Sequence, residues 1–164
     1  MRLLDDIKFF GLAFWLGTAT FFSFVVAPSA FLVLRQFRLP NASEIAGTIV
    51  TRSLSVINLS GFFLGLLLLV LTFLTARRIG KIYLIVQLGL LAVMTVATSI
   101  GHWLIAARMR AIRARLELPI DQIALDDQRR LAFDNLHHYS VLALGFAMLA
   151  ALIAILIIRP SSGE

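Results

Sequence analysis

The chain contains no cysteine, which excludes disulfides, iron–sulfur clusters, thiolate metal sites and a cysteine nucleophile. Charge is scarce too: Asp, Glu, Lys and Arg make up 15% of 164 residues, where a soluble domain of this size carries about 25%. Four stretches have none of these residues at all, namely Phe9–Leu34, Ser53–Ala76, Ile82–Ala107 and Tyr139–Ile158. An ion-coupled pump or proton relay normally keeps an ionisable carboxylate or base near mid-membrane, so the missing charge argues against that class. Also missing are an HExxH motif, a phosphate-binding loop, paired carboxylates and any nucleophile–base constellation, and the chain is therefore expected not to be an enzyme.

What is present is apolar. Hydrophobic residues account for 60% of the chain, and the mean hydropathy is +0.92. Each uncharged stretch meets the ~20 residues that a helix rising ~1.5 Å per residue needs to cross a hydrocarbon core of ~30 Å. The pattern predicts an all-α, integral membrane four-helix bundle forming a single domain over residues 1–164. The spans are expected at about 7–35, 52–76, 82–107 and 139–158, with both termini on the same side. The first run is far longer than the 7–15-residue apolar core of a signal peptide and reads as a retained helix.

Pro28, lacking an N–H, is expected to kink the first helix near Phe24–Pro28. Ser43 with Glu44 starts a short helix leading into the second span. Arg77-Arg78-Ile79-Gly80-Lys81 forms a tight second loop in which Gly80 stops the helix. Arg159-Pro160 closes the fourth span ahead of a frayed tail. The long connection, residues 108–138, lies between helices 3 and 4 and is expected to be partly helical. Small residues recur at four-residue spacing (Ala13/Gly17, Gly61/Gly65, Ala97/Gly101, Ala143/Ala147/Ala151), which favours close packing of helices within the chain.

The net charge of +6 arises from basic residues that bracket the spans, as expected for contact with lipid headgroups rather than nucleic acid. Arg35, Arg38, Arg52, Arg108, Arg110, Arg113, Arg115, Arg129 and Arg130 lie on the side of loops 1 and 3. Arg2, Lys8, Arg77, Arg78, Lys81 and Arg159 lie on the other. The imbalance leans toward loops 1 and 3 in the cytoplasm. At the start of loop 3, Met109, Ile112 and Leu116 share one helical face, flanked by Arg108 and Arg115 on one side and by Arg110 and Arg113 on the other. That arrangement predicts an interfacial helix with the four arginines on lipid headgroups, in preference to a straight extension of helix 3. Asp126-Asp127-Gln128-Arg129-Arg130 reads as a self-paired solvated helix.

His102, His137 and His138 all fall at one end of the bundle. With Asp134 and Asn58 they form a candidate polar cluster. A metal or haem held by His102 and His137 or His138 is one reading; interfacial anchoring or capping is the structural one, and no cofactor is expected. Thr18, Thr20, Ser23, Ser55, Asn58, Ser60, Gln87, Thr95, Thr98 and Ser99 are interior polar groups. Their hydroxyls are expected to bond to their own helices.

Trp15-Leu-Gly17-Thr-Ala-Thr-Phe21-Phe22-Ser-Phe24-Val-Val-Ala27-Pro28-Ser-Ala-Phe31 resembles the first span of bacterial proteins carrying domain of unknown function 4149, related to eukaryotic transmembrane protein 205. Phe133-Asp-Asn-Leu-His137-His-Tyr-Ser140 resembles the family's Phe-x3-His-x2-Ser pattern, and His102-Trp103-Leu104 is a further match. The resemblance implies a four-helical fold with its long loop between helices 3 and 4. It singles out Gly17, Phe22, Pro28, Phe31, Phe133, His137 and Ser140. Ile105-Ala106-Ala107 departs from a proline common in the family, and His138 stands where the eukaryotic relatives have a small residue. Through those relatives the resemblance implies export of metal compounds or membrane trafficking.

The first functional reading is a non-enzymatic accessory or scaffold subunit of a bacterial inner (cytoplasmic) membrane, packing against other membrane subunits or as a homo-oligomer. The second is a transporter-like protein for metal ions or small hydrophobic compounds, and the third a haem-binding membrane protein.

Overall fold

The computed structural model describes residues 2–37, 39, 41–76, 80–116 and 118–158, except for the side chains of residues 2 and 121. Arg77-Arg78-Ile79 of the second loop, the closing Arg159-Pro160 and the tail after it lie outside the described residues. Helix α1 (Arg2–Phe21) runs through a π turn (Phe22–Val26) into α2 (Ala27–Gln36). Helix α3 (Ala42–Leu74) returns. Helix α4 (Lys81–Ser99) continues through a second π turn (Ile100–Ile105) into α5 (Ala106–Ala114), and α6 (Gln128–Ile157) completes the bundle. No strand occurs among the described residues. Four rods, Leu3–Gln36, Ala42–Leu74, Lys81–Ala114 and Gln128–Ile157, are long and apolar enough to cross a membrane.

The rods outrun the apolar stretches. The second begins at Ala42 rather than near 52, the third runs to Ala114 rather than 107, and the fourth begins at Gln128 rather than 139. Hydropathy marks only the part immersed in hydrocarbon, whereas Ala, Leu, Arg and Gln carry a helix on past it. Two termini differ in detail as well. Helix α3 has Asn41 at its N-cap instead of Ser43. Gly80, with φ −58° and ψ 137°, opens α4 instead of closing α3, which already ends at Leu74.

The interfacial helix expected after helix 3 is instead a straight continuation of it. The apolar face finds protein rather than lipid: Met109 is buried with Ile105 and Phe133, and Ile112 and Ile120 pack against the same group. Arg113 turns inward, its guanidinium carbon 4.9 Å from the centre of the Phe133 ring. Asp127 caps α6, accepting from the Arg129 backbone N–H at 2.7 Å and pairing with the Arg129 side chain at 2.7 Å. The pairing therefore spans two residues rather than three or four. That contact, chiefly the side-chain hydrogen bond, pulls the Asp127 carboxyl down to about 2.

Each rod buries one seam with spacings of three and four. In α1 and its π turn the seam is Lys8, Leu12, Trp15, Ala19 and Phe22; in α3 it is Ile57, Gly61, Gly65, Leu68 and Thr72. Leu91, Met94, Thr98 and Gly101 form it in the third rod, and Ser140, Leu144, Ala147, Ala151 and Ala154 in the fourth. The rods close a ring, α1/α2 on α3, α3 on α4, α4 on α6 and α6 on α1. The outside is more greasy than the inside. Phe10, Phe14, Phe24, Phe73, Ile82 and Leu156 stand largely exposed, a surface that only lipid solvates without penalty.

Small residues set the helix separations where the seams meet. A Cβ on Gly61 would lie 2.7 Å from the Trp15 indole, one on Gly101 would lie 2.9 Å from the Asn58 amide, and one on Gly65 would collide with Thr95. Nothing lies within 4 Å of a Cβ on Gly17, so that glycine takes no part in this internal packing. Most interior hydroxyls bond to their own helix, as Thr18, Ser23, Ser60, Thr95 and Thr98 do with carbonyls three or four residues back. Ser55 is different, since its Oγ lies 3.1 Å from His102 Nδ1 on the third rod.

Candidate functional site: a cavity behind the proline turn

Pro28 cannot donate to the carbonyl four residues back, and its ring crowds that carbonyl. The chain answers with a widened turn just before it: the Ala27 N–H bonds to Phe22 O, five residues back. Such π turns are uncommon and gather at functional sites. Here the widened turn and Pro28 form one wall of a cavity of about 430 Å³. Phe22, Phe24, Pro28 and Phe31 come from the first rod, Leu54 from α3, and His137, Ser140, Gly145 and Met148 from α6.

The lining is mostly aromatic and aliphatic. Ser23 is committed to Ala19 O at 2.8 Å. Ser140 is buried, and His137, one turn before it on α6, stands at the exposed rim. An apolar chamber of this size with two adjacent polar groups has the make-up of a small-molecule pocket. Phe24 and Val141 edge it and are themselves largely exposed, so the cavity opens to the surface between the first rod and α6.

Of the seven positions singled out by resemblance, Phe22, Pro28, Phe31, His137 and Ser140 line this one cavity. Gly17 lies outside it on the outer face of α1. Phe133 lies elsewhere too, buried with Ile105 and Met109. Sequence reasoning missed Leu54, Gly145 and Met148, which look like any other apolar residues of a span. The available signal was Gly145 within the row Ala143, Gly145, Ala147, where the side chain is smallest.

The expected cluster of His102, Asp134, Asn58 and His137 or His138 does not come together as one site. All lie toward the same end, but on different helix faces. His102 is held by Ser55, its Nδ1 lying 3.2 Å from the Ser55 carbonyl as well as against the hydroxyl. Asn58 packs on Gly101. His137 belongs to the cavity, and His138 Nδ1 lies 2.9 Å from the Asp134 carbonyl of its own helix. The rings of His137 and His138 are 6.4 Å apart, centre to centre. Among the described residues no group of three His, Asp or Glu is placed to hold a metal ion.

Lys8 is another residue that sequence reasoning did not single out. It is 1% exposed, donates to Thr75 Oγ1 at 3.2 Å and lies 3.8 Å from Asp5, tying the start of α1 to the end of α3. A lysine just before an apolar run ordinarily reads as a headgroup contact, and only the antiparallel neighbour reveals the internal role.

The family model described as Domain of unknown function (DUF4149) matches residues 10–117. It thus takes in Gly17, Phe22, Pro28 and Phe31 but ends before the α6 wall of the cavity. No curated protein matches the chain, and no solved structure does.

Proposed function

The chain belongs to the domain of unknown function 4149 family, and from that premise we propose that it is a non-enzymatic membrane protein that takes a small apolar molecule from the bilayer into the cavity behind Pro28. The observation carrying this reading is the convergence of Phe22, Pro28, Phe31, His137 and Ser140 on a single chamber. Its chemistry defines the ligand class: a hydrophobic body against Phe22, Phe31 and Met148, with one hydrogen-bonding group reaching His137 or Ser140. This develops the transporter-like alternative for small hydrophobic compounds. The same reading locates the protein in a bacterial inner membrane with the long loop in the cytoplasm, supported by the larger share of arginines on that side.

The test is photolabelling of the purified protein in lipid nanodiscs with a diazirine derivative of a medium-chain alcohol, the sites mapped by mass spectrometry. Label is expected on the peptides holding Phe22–Phe31 and His137–Met148. Gly145→Leu should suppress it, because that position lines the chamber and has open space for a side chain. Label spread evenly over outward residues such as Phe10 and Phe14, unchanged in Gly145→Leu, would defeat the proposal. A stoichiometric membrane partner purifying with a protein whose cavity stays unlabelled would favour the accessory-subunit reading instead.

A further inference from the structure

On another face of α6 a larger groove runs between the third rod and that helix. Its deep part, about 790 Å³, is walled by Val96, Ile100 and Leu104 on one side and by Leu142 and Phe146 on the other. At one end this apolar part meets Arg108, Leu136 and Tyr139, and those same three residues also line the next depression, of about 540 Å³, together with Arg115, Arg129 and Asn135. The two are one continuous channel along the surface, apolar over most of its length and basic at one end.

We propose that this channel is a binding site for one anionic glycerophospholipid, with an acyl chain lying along Val96, Ile100 and Phe146 and the headgroup phosphate against Arg108 and Arg115. Three features fit that occupant and no purely apolar one. First, charge and greasiness are segregated along the channel in the order that a lipid presents them. Second, the positive end is not neutralised: Arg129 is paired with Asp127, but among the described residues neither Arg108 nor Arg115 is in an ion pair and no carboxylate lines either part of the channel. Guanidinium groups at the headgroup level attract anionic phosphate. Third, the length is right. Ala92 to Arg108 spans about 24 Å of helix at ~1.5 Å per residue, enough to cover one leaflet of a ~30 Å core and reach its headgroups.

Tyr139 sits at the join, half ring and half hydroxyl, as aromatic residues do at the edge of the hydrocarbon. The four arginines of the expected interfacial helix thus part company. Arg108 and Arg115 serve this channel, while Arg110 and Arg113 face α3 across Thr48, Thr51 and Arg52. The site is separate from the cavity behind Pro28 and does not depend on it.

Native mass spectrometry of the full chain, released from detergent after equilibration with equimolar phosphatidylglycerol and phosphatidylcholine of matched chains, tests the proposal. The wild type should retain one phosphatidylglycerol in preference to phosphatidylcholine by at least tenfold. Arg108→Gln/Arg115→Gln should lose that preference, and Val96→Trp, which fills the apolar part from an outward-facing position, should reduce retention of both lipids. Arg110→Gln, on the other flank, should behave as wild type. Adding inorganic phosphate should not displace the lipid; if phosphate alone competes, the apolar part contributes nothing and the proposal fails. It fails equally if the double variant retains the preference, if Val96→Trp has no effect, or if Arg110→Gln abolishes it.

Discussion

Replacing Gly61 by valine strikes a close contact between α1 and α3. The new Cβ would lie 2.7 Å from three atoms of the Trp15 indole. That ring cannot step aside freely, because Trp15 is 4% exposed and donates its Nε1–H to Ile57 O at 3.0 Å. Either α1 and α3 separate or the indole rotates and gives up the bond. Forcing extra methyl groups into a packed seam costs about 1–3 kcal/mol, and a lost buried hydrogen bond adds about 0.5–1.5 kcal/mol. The expected loss is therefore about 2–4 kcal/mol. Gly89→Val is the matched control, since nothing lies within 4 Å of a Cβ there and the intrinsic change in helix propensity is the same. The assay is reversible unfolding in mixed micelles by SDS titration, followed by helicity and tryptophan emission. Trp15→Phe should relieve part of the clash, so a double-mutant cycle between positions 15 and 61 should show a coupling of at least ~1 kcal/mol. A Gly61→Val protein within ~0.5 kcal/mol of Gly89→Val would refute the packing argument.

Further outcomes follow from other contacts. Thr72 Oγ1 is buried with no hydrogen-bond partner among the described residues, so Thr72→Val, which keeps the shape, should stabilise the protein by about 1 kcal/mol in the same titration. The depressed Asp127 carboxyl fixes a sign: its contribution to the start of α6 is complete above the ordinary carboxylate value near 4 and is lost as pH falls through about 2. The protection of the Arg129 amide, relative to its intrinsic exchange rate at each pH, should fall over that window, and Asp127→Ala should already show the low protection at neutral pH. His137→Ala should weaken labelling of the cavity by the photoreactive alcohol, whereas His102→Ala, which only releases Ser55, should leave labelling unchanged and cost about 1 kcal/mol of stability.

Much of this architecture was readable from residues alone, and the failures have a common cause. Four uncharged runs fixed the number of rods, and the kink expected at Phe24–Pro28 takes the form of a π turn, Phe22–Val26, just before the proline. The second π turn, Ile100–Ile105, has no proline to announce it; the Ala106 N–H simply reaches back to Gly101 O. Which face each helix turns inward was harder still. In water an apolar stripe marks the core, but in lipid Phe14 and Leu12 are equally acceptable outside, and only size and fit distinguish them. For that reason His102 and His137, alike in position along their rods, were expected together and were found on different faces. The basic run after helix 3 misled for a related reason: its apolar face suits lipid and Phe133 equally well.

The widened turn before Pro28 has a consequence for how the gene can change. It stores one residue more than an ordinary helical turn would hold. Deleting a single codon within Phe22–Val26 should let the backbone revert to a regular spiral with the phase on either side preserved, leaving Leu12, Trp15 and Ala19 in place and Pro28 and Phe31 still turned toward His137. The first rod thus carries one point where loss of an amino acid is tolerable for assembly and chamber alike, whereas the same loss between Ala19 and Phe22 or between Pro28 and Phe31 would turn the residues beyond it by about 100°.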